Sequence, residues 1–269
     1  MRAPPLTYAS PEDPPLRAFI IRAVEALSGR RTLEQHYAQA AEEEAESFWA
    51  AALDRLDVTP VYAADRLRAL PASGPLVVVA NHPFGVLDGL MLCHLVAQIR
   101  PAFRILLNSV LCRDPRLDAH FLPVDFQETE AARRTNRRSI RSALATLRAD
   151  GTLIVFPAGG IATAPRPFAD AEDLPWTPLV GTLVHATEAT VVPMHISGQN
   201  SRLFQWVSQF SLTLRLSLII REVVRKIGTA HRIRIGAPHR YATLSHHDTP
   251  TALSRHLRTV TVSLGAVQS

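Results

Sequence analysis

The stretch from Leu76 to Asp88, LVVVANHPFGVLD, constrains the fold of this chain more than any other. It begins with an uninterrupted apolar run, Leu76 to Ala80, rich in valine. Such a run is typical of a strand that is buried on both faces, as in a parallel sheet covered by helices. Asn81 and His82 follow, then a Pro-Phe-Gly turn, and from Asp88 an apolar periodicity that favours a helix. The stretch therefore predicts a strand, loop and helix of an α/β fold.

His82 and Asp88 are the residues of this stretch that can carry chemistry. Open α/β sheets bind their ligands beyond the carboxyl ends of the strands, where His82 is predicted to lie. The turn allows Asp88 to fold back onto the imidazole, which would fix its tautomer and leave the other ring nitrogen free to take a proton. No serine or cysteine nucleophile accompanies the pair, so the proton would come from a substrate hydroxyl. The alternative is a core histidine beside a helix-capping aspartate.

Length, composition and cysteine usage indicate the class of protein. The 269 residues suffice for one α/β domain with a helical extension. No stretch approaches the roughly 18 consecutive apolar residues of a membrane-spanning helix, and the N-terminus lacks the apolar segment of a signal peptide. Cys93 and Cys112 are isolated, without the spacing of a metal or redox site. We therefore expect a cytoplasmic protein.

The charge balance indicates the partners. The net charge is +5, and Lys226 is the only lysine. A basic chain suits an anionic membrane surface, the phosphates of coenzyme A, or an acidic carrier protein. No nucleic-acid-binding motif is present, so a nucleic-acid partner is not expected.

The sequence predicts a proline-rich, disordered tail over residues 1–15, a helical extension over 16–70 and a main domain over 71–269. The extension is predicted to hold helices over 16–27 and 32–56, with Thr32 as the N-cap of the second and Glu42 to Glu44 on a solvated face. In the main domain, strands are predicted over 103–107, 121–126, 152–156, 190–196 and 232–235. Helices are predicted to begin at residue 88 and to cover 128–149, 177–187, 216–227, with Gly228 as C-cap, and 253–264. Residues 210–218 alternate like a strand, and their structure is left open. This order predicts an α/β fold with a mostly parallel or mixed sheet flanked by helices.

Several motifs resemble those of one family. NHPFGVLD resembles the first block of the lysophospholipid acyltransferase superfamily, which includes the 1-acylglycerol-3-phosphate acyltransferases. Those enzymes carry four residues between histidine and aspartate, whereas this chain carries five, which resembles the hemolysin-like or ornithine-lipid-type branch. FPAGG at 156–160 resembles the Phe-Pro-x-Gly block, VVPM at 191–194 the Val-Pro block, and residues 200–222 the tail of that branch. Three blocks in order are more specific than one.

The resemblance implies transfer of a fatty acyl group from acyl-CoA or acyl carrier protein to a lyso-lipid hydroxyl. His82 would be the general base, Asp88 would hold it, and no cofactor would be needed. The oxyanion formed at the thioester would require donors such as backbone N–H groups near Gly159 and Gly160. The residues expected beside the substrates are Asn81, Phe156, Pro157, Gly159, Gly160, Arg166 and Arg215.

The chain also departs from the family pattern. The acylglycerol-phosphate enzymes carry Phe-Pro-Glu-Gly-Thr-Arg-Ser, whereas this chain has Ala158 for the glutamate and Gly160-Ile161-Ala162 for the last three residues. A phosphate site without its arginine is incomplete. The departure predicts an aminoacyl or zwitterionic acceptor, such as a lyso-ornithine lipid, with Arg166 or Arg215 as substitutes if the acceptor does carry a phosphate.

Three alternatives stay open at this point. One is a non-catalytic membrane-surface or carrier-binding protein on the same fold, since the longer spacing could disable the pair. A serine hydrolase is disfavoured because no Gly-x-Ser-x-Gly elbow is present. His246, His247 and Asp248 could bind a metal, although a solvated turn is the preferred interpretation. For the transferase, we expect a location on the inner leaflet of the cell membrane, held peripherally by the stretches 16–27 and 203–227.

Overall fold

The computed structural model describes residues 7, 9, 13–40, 47–112, 114–166 and 168–266, apart from the side chains of 212 and 213. The helices are α1 (Pro15–Leu27), α2 (Arg30–Ala40), α3 (Phe48–Arg55), α4 (Ala64–Arg68), α5 (Val86–Ala97), α6 (Glu130–Arg148), α7 (Leu179–Thr187), α8 (Arg202–Val207), α9 (Leu212–Val224), α10 (Tyr241–Leu244) and α11 (Pro250–Ala266). The strands are β1 (Thr59–Val61), β2 (Leu76–Ala80), β3 (Phe103–Asn108), β4 (Phe121–Val124), β5 (Thr152–Val155), β6 (Thr190–Ile196) and β7 (Ala230–Ile235). Short 3₁₀ turns cover Ser109–Leu111 and Pro115–Leu117.

Within the described residues these strands form one mixed sheet in the order β1-β7-β6-β2-β5-β3-β4. Strands β6, β2, β5, β3 and β4 run parallel. Strand β7 is antiparallel to β6, and β1 runs parallel to β7 at the edge. The predicted α/β fold with a mostly parallel or mixed sheet is confirmed.

Strand β2 lies at the centre of this sheet with all five side chains buried. Because strand side chains alternate, Leu76, Val78 and Ala80 pack with α3, α5 and α9, whereas Val77 and Val79 pack with α6, α7 and α11. Full burial of each such side chain stabilises the fold by roughly 1.5–3 kcal/mol. Two covered faces fix the strand in place, and with it the position of the residues that follow.

The N-terminal region differs from the prediction in its helix boundaries. Helix α2 begins at Arg30, so Thr32 lies in its first turn, where its N–H donates to the carbonyl of Gly29 at 3.0 Å, and is not an N-cap. Residues 41–46, which include Glu42 to Glu44, lie outside the described residues. Of the predicted tail, the hydroxyl of Thr7 donates to Glu25 at 2.7 Å and Ala9 is buried. The other residues before 13 lie outside the described part.

The extension over residues 16–70 packs as part of the main body. Strand β1 pairs with β7, α3 packs on α5, and α1 packs on α9.

The alternating stretch 210–218 is helical from Leu212 onward, because Ser211 caps α9 by accepting the N–H of Leu214 at 3.2 Å. The predicted helix over 216–227 begins earlier and ends at Val224. Gly228, predicted as its C-cap, lies beyond the end and donates its N–H to Leu56 at 3.2 Å. None of the helices in the described part of the chain is long and apolar enough to span a bilayer.

Candidate active site

His82 lies just beyond the carboxyl end of β2, against Phe156, which follows β5. The two strands are parallel neighbours, with Val79 opposite Val155, so the residues that follow them meet at one edge of the sheet. The imidazole stacks on the Phe156 ring with centroids 4.2 Å apart and planes 26° apart. The His82 side chain is 18% exposed. One edge of the imidazole therefore remains open to a substrate.

Asp88 faces His82 from the first turn of α5. This helix begins at Val86, two residues earlier than predicted, because Gly85 (φ +95°) serves as its N-cap. Asp88 is fully buried, and its Oδ2 accepts the backbone N–H groups of Phe84 at 2.8 Å and Gly85 at 2.9 Å. The same Oδ2 lies 2.9 Å from Nδ1 of His82, although the ring N–H does not point straight at it. Asp88 thus serves both as helix cap and as partner of the histidine.

This contact defines which ring nitrogen can react. A carboxylate beside Nδ1 favours the tautomer with the proton on Nδ1, which leaves Nε2 as the acceptor. Nε2 forms no hydrogen bond with the other described residues. The arrangement suits a general base acting on a bound hydroxyl.

Asp173 holds the backbone of His82 and was not singled out from the sequence. Its Oδ1 accepts the N–H of His82 at 3.0 Å, and its Oδ2 accepts Nε1–H of Trp176 at 2.6 Å. Arg258 of α11 donates to the carbonyl of Asp173 at 2.6 Å. Burial raises the pKa of Asp173, and its hydrogen bonds to Trp176 and His82 oppose this rise. Because its partner His82 lies 91 residues away in sequence, no local pattern marks Asp173.

The turn after Phe156 contains the two glycines that were predicted to supply oxyanion donors. Gly159 (φ +66°) donates its N–H to the carbonyl of Phe156 at 3.0 Å, so this N–H is already used. The N–H of Gly160 has no acceptor among the described residues. The carbonyl of Pro157 accepts the N–H of Thr177 at 3.0 Å, which fixes the turn to the segment before α7. Of the two predicted oxyanion donors, only Gly160 is free.

Asn81 and Arg166 do not lie where a substrate role is evident. The side chain of Asn81 is buried and pairs with the Ile196 backbone, donating to its carbonyl at 2.9 Å and accepting its N–H at 2.7 Å. Asn81 thereby joins β2 to β6. Arg166 is exposed in the loop between Thr163 and Glu172, and its guanidinium makes no hydrogen bond or ion pair with the other described residues.

Arg215 lies beside the Gly160 turn. Its Nη2 donates to the carbonyl of Ile161 at 2.9 Å, and the guanidinium lies 5.9 Å from the centroid of the Phe204 ring. A Cβ added at Gly160 would come within 3.8 Å of the same Nη2. Burial lowers the pKa of Arg215. The structure therefore brings Arg215, but not Arg166, next to the predicted glycines.

A buried polar network supports the loop between His82 and Asp88. Nζ of Lys226 lies 4.7 Å from the Phe84 ring centroid, donates to Oδ1 of Asn200 at 2.7 Å and lies 3.5 Å from Oε2 of Glu222. Glu222 also accepts the hydroxyl and the N–H of Ser201, at 2.6 and 2.8 Å. One sequence feature could have revealed this network. Lys226 is the only lysine of an arginine-rich chain, and it follows Glu222 by four residues within an apolar stripe.

Two other features lie apart from the dyad. The rings of His246 and His247 lie 4.1 Å apart and those of His247 and His256 4.3 Å apart, yet no three metal-binding side chains of the described residues are placed to hold an ion. A shallow apolar depression of about 260 Å³ is lined by Trp206, Val207, Phe210 and Leu214. It does not include His82 or Asp88.

Comparisons with known proteins show what this chain is similar to. A curated protein of Phocaeicola vulgatus, named lyso-glycine lipid O-acyltransferase, is 25% identical over 205 residues, which is 74% of this chain and 71% of that protein. The crystal structure of the 1-acyl-sn-glycerophosphate acyltransferase PlsC from Thermotoga maritima superposes with a TM-score of 0.49 at 16% identity, covering 94% of this chain and 83% of that one. The sequence profile described as Acyltransferase matches residues 35–262. This chain therefore belongs to the acyltransferase family of the lysophospholipid acyltransferase superfamily.

Proposed function

We propose that this chain transfers a fatty acyl group from acyl-CoA or acyl carrier protein to the hydroxyl of a lyso-lipid, with His82 as general base. The observation that carries the proposal is the His82–Asp88 pair. Nδ1 lies 2.9 Å from the carboxylate and Nε2 is left without a partner among the described residues. Family membership supports the reaction class, and the pair supports the assignment of the base.

The reaction needs only groups that converge at this edge of the sheet. Nε2 of His82 takes the proton of the acceptor hydroxyl while the oxygen attacks the thioester carbonyl carbon. The carbonyl oxygen becomes an oxyanion, and the free N–H of Gly160 is the candidate donor, since Gly160 lies between Phe156 and Ala162, which both contact His82. The intermediate then expels the thiolate, which takes the proton back from the imidazolium. Asp88 orients the ring and stabilises its charge between the two transfers.

The acceptor we favour is a lyso-lipid with an amino-acid headgroup. Ala158 stands where the phosphate-acting relatives carry glutamate, and no arginine follows within the block. The curated relative from Phocaeicola vulgatus is named for a lyso-glycine lipid, which agrees with such a headgroup.

Release of thiol from an acyl thioester tests this proposal directly. The wild-type protein should release thiol only when a lyso-lipid is added, and more rapidly with a lyso-aminolipid than with lyso-phosphatidic acid. His82→Ala should abolish transfer, whereas His246→Ala, at an exposed histidine, should leave it unchanged. Normal turnover in His82→Ala would disprove the mechanism. Thioester or lipid binding without turnover in the wild type would favour the non-catalytic alternative.

We also propose that the protein docks peripherally on the inner leaflet of the cell membrane, from the cytoplasm. Leu16, Phe19 and Leu27 fall on one face of α1 and are 71, 69 and 90% exposed, whereas Ile21 and Glu25 on the opposite face are buried. An apolar helix face beside arginines is typical of an interfacial helix.

Sedimentation with anionic vesicles tests the docking. Binding is expected at low salt, with partial release at high salt. The double substitution Phe19→Ser and Ile20→Ser should weaken vesicle binding. Val262→Ser, which alters an exposed apolar residue of α11, should not. A wild-type protein that stays in the supernatant at low salt would contradict peripheral docking.

A further inference from the structure

We propose that Arg215 is the specificity-determining residue for the acceptor and binds the free carboxylate of its amino-acid headgroup. This inference rests on the function proposed above. It gives a ligand to the guanidinium of Arg215, which takes no part in the reaction steps described above.

The charge of Arg215 has no counter-ion among the described residues. Within the described part of the chain, its one polar contact is the carbonyl of Ile161, a neutral acceptor, at 2.9 Å. Arg215 is half-buried, whereas the buried cation near the site, Lys226, faces the carboxylate of Glu222. Arginine stays ionised in proteins, and a cation withdrawn from water is costly unless an anion compensates it. A bound anion supplies that compensation.

The surroundings of Arg215 place this anion close to the reacting atoms. Arg215 is bonded to Ile161, and the next residue, Ala162, donates its N–H to the carbonyl of His82 at 2.8 Å. Gln205 reaches the same short segment, where its Oε1 accepts the N–H of Ala164 at 2.9 Å. Gln205 is only 5% exposed, and its Nε2 is buried without an acceptor. The segment that follows the Gly160 turn therefore contacts both the guanidinium of Arg215 and the side-chain amide of Gln205, whose Nε2 donor is unused.

The chemistry of the two groups selects an oxyanion attached to a lipid. The guanidinium has a planar fork of N–H donors, of which one serves Ile161, and this fork matches a carboxylate. Leu214, which lines the apolar depression together with Trp206 and Phe210, is the residue before Arg215 on α9. A lipid built on an amino acid through its nitrogen presents a free carboxylate beside an apolar chain. The phosphates of the acyl donor are the other source of an oxyanion, and the experiment separates the two.

Steady-state kinetics with a matched acceptor pair test the assignment. The pair is an N-(3-hydroxyacyl)glycine and its primary amide, which differ only in the carboxylate charge. The wild type should show a KM for the acid that is roughly 10- to 100-fold below that for the amide. Arg215→Gln should raise the KM for the acid to that of the amide while leaving kcat, the amide KM and the donor KM nearly unchanged. Arg215→Lys should restore part of the preference, because it keeps the charge but loses the fork.

The control is Arg66→Gln, which removes the same charge from an exposed position on α4 and should change none of these values. Equal increases of KM for the acid and the amide in Arg215→Gln would show a structural role and overturn the proposal. An increase confined to the donor KM would assign the site to the donor phosphates and would also overturn it. Absence of transfer to any lyso-lipid by the wild type would instead refute the proposed function.

Discussion

Replacing Asp88 by asparagine should damage stability and activity through two separable contacts. Oδ2 of Asp88 accepts two backbone N–H groups at the start of α5 and also lies 2.9 Å from Nδ1 of His82. Asparagine keeps one carbonyl oxygen for the backbone donors but loses the charge. If its amide turns an N–H toward the ring, the proton of His82 is favoured on Nε2, where it blocks the base.

The expected loss of stability follows from the two backbone hydrogen bonds. A hydrogen bond to a charged acceptor contributes about 1.5–3 kcal/mol, compared with about 0.5–1.5 kcal/mol for a neutral one. The favourable position of the carboxylate at a helix N-terminus adds about 0.3–1 kcal/mol. Asp88→Asn should therefore lower the free energy of unfolding by roughly 2–3 kcal/mol, and Tm by roughly 5–10 °C. Activity should fall by about 10²–10⁴-fold, by analogy with catalytic triads.

A double-mutant cycle with His82→Ala separates the two roles. Thermal and urea unfolding of Asp88→Asn, His82→Ala and the double variant give the stability terms, and thiol release gives activity. The stability cost of Asp88→Asn should persist in the His82→Ala background, because the capping contacts do not involve the ring. The residual activity of the double variant should equal that of His82→Ala, since the base is already absent there. Loss of the stability cost in the His82→Ala background, or a further fall of activity in the double variant, would contradict the two separate roles of Asp88.

Three further predictions concern the loop between His82 and Asp88, the Lys226 network and the histidine cluster. Gly85→Ala should lower the free energy of unfolding by about 1–3 kcal/mol in urea titrations, because a side chain is strained at φ +95°; a Tm equal to wild type would contradict this. Lys226→Met should cost about 1–3 kcal/mol because it removes one of the two cations beside the buried carboxylate of Glu222, which keeps Arg221 and Ser201, and Glu222→Gln in the same chain should recover part of the loss if the network is ionic. Burial and neighbouring histidines lower the pKa of His247 and His256, so the folded state binds protons less readily than the unfolded state. Their contribution to stability is present above about pH 6.5 and is lost below it, and His256→Gln should reduce the fall of Tm between about pH 7 and pH 5. An identical pH dependence in this variant would exclude the cluster as its cause.

The sequence by itself determined the central strand, the residues at its end and the family. The run Leu76 to Ala80 is apolar at every position, which is typical of a strand covered on both faces, and the structure buries all five side chains. Parallel neighbours end at the same edge, so the Asn-His and Phe-Pro motifs could be expected to meet there, as His82 and Phe156 do. These features are local in sequence or follow from the sheet alone.

The tertiary structure decided which polar groups surround the dyad. Asp173 reaches His82 across 91 residues, Glu222 reaches Ser201 across 21, and Arg215 reaches Ile161 across 54. Such contacts depend on how α9 and α11 pack on the sheet, and single-residue patterns carry no information about that packing. Likewise, the start of α5 depended on the positive φ of Gly85, which aims Asp88 back at the imidazole. Hydrophobic periodicity fixes where an element lies because burial acts along the chain, whereas hydrogen bonds between distant segments exist only after the chain has folded.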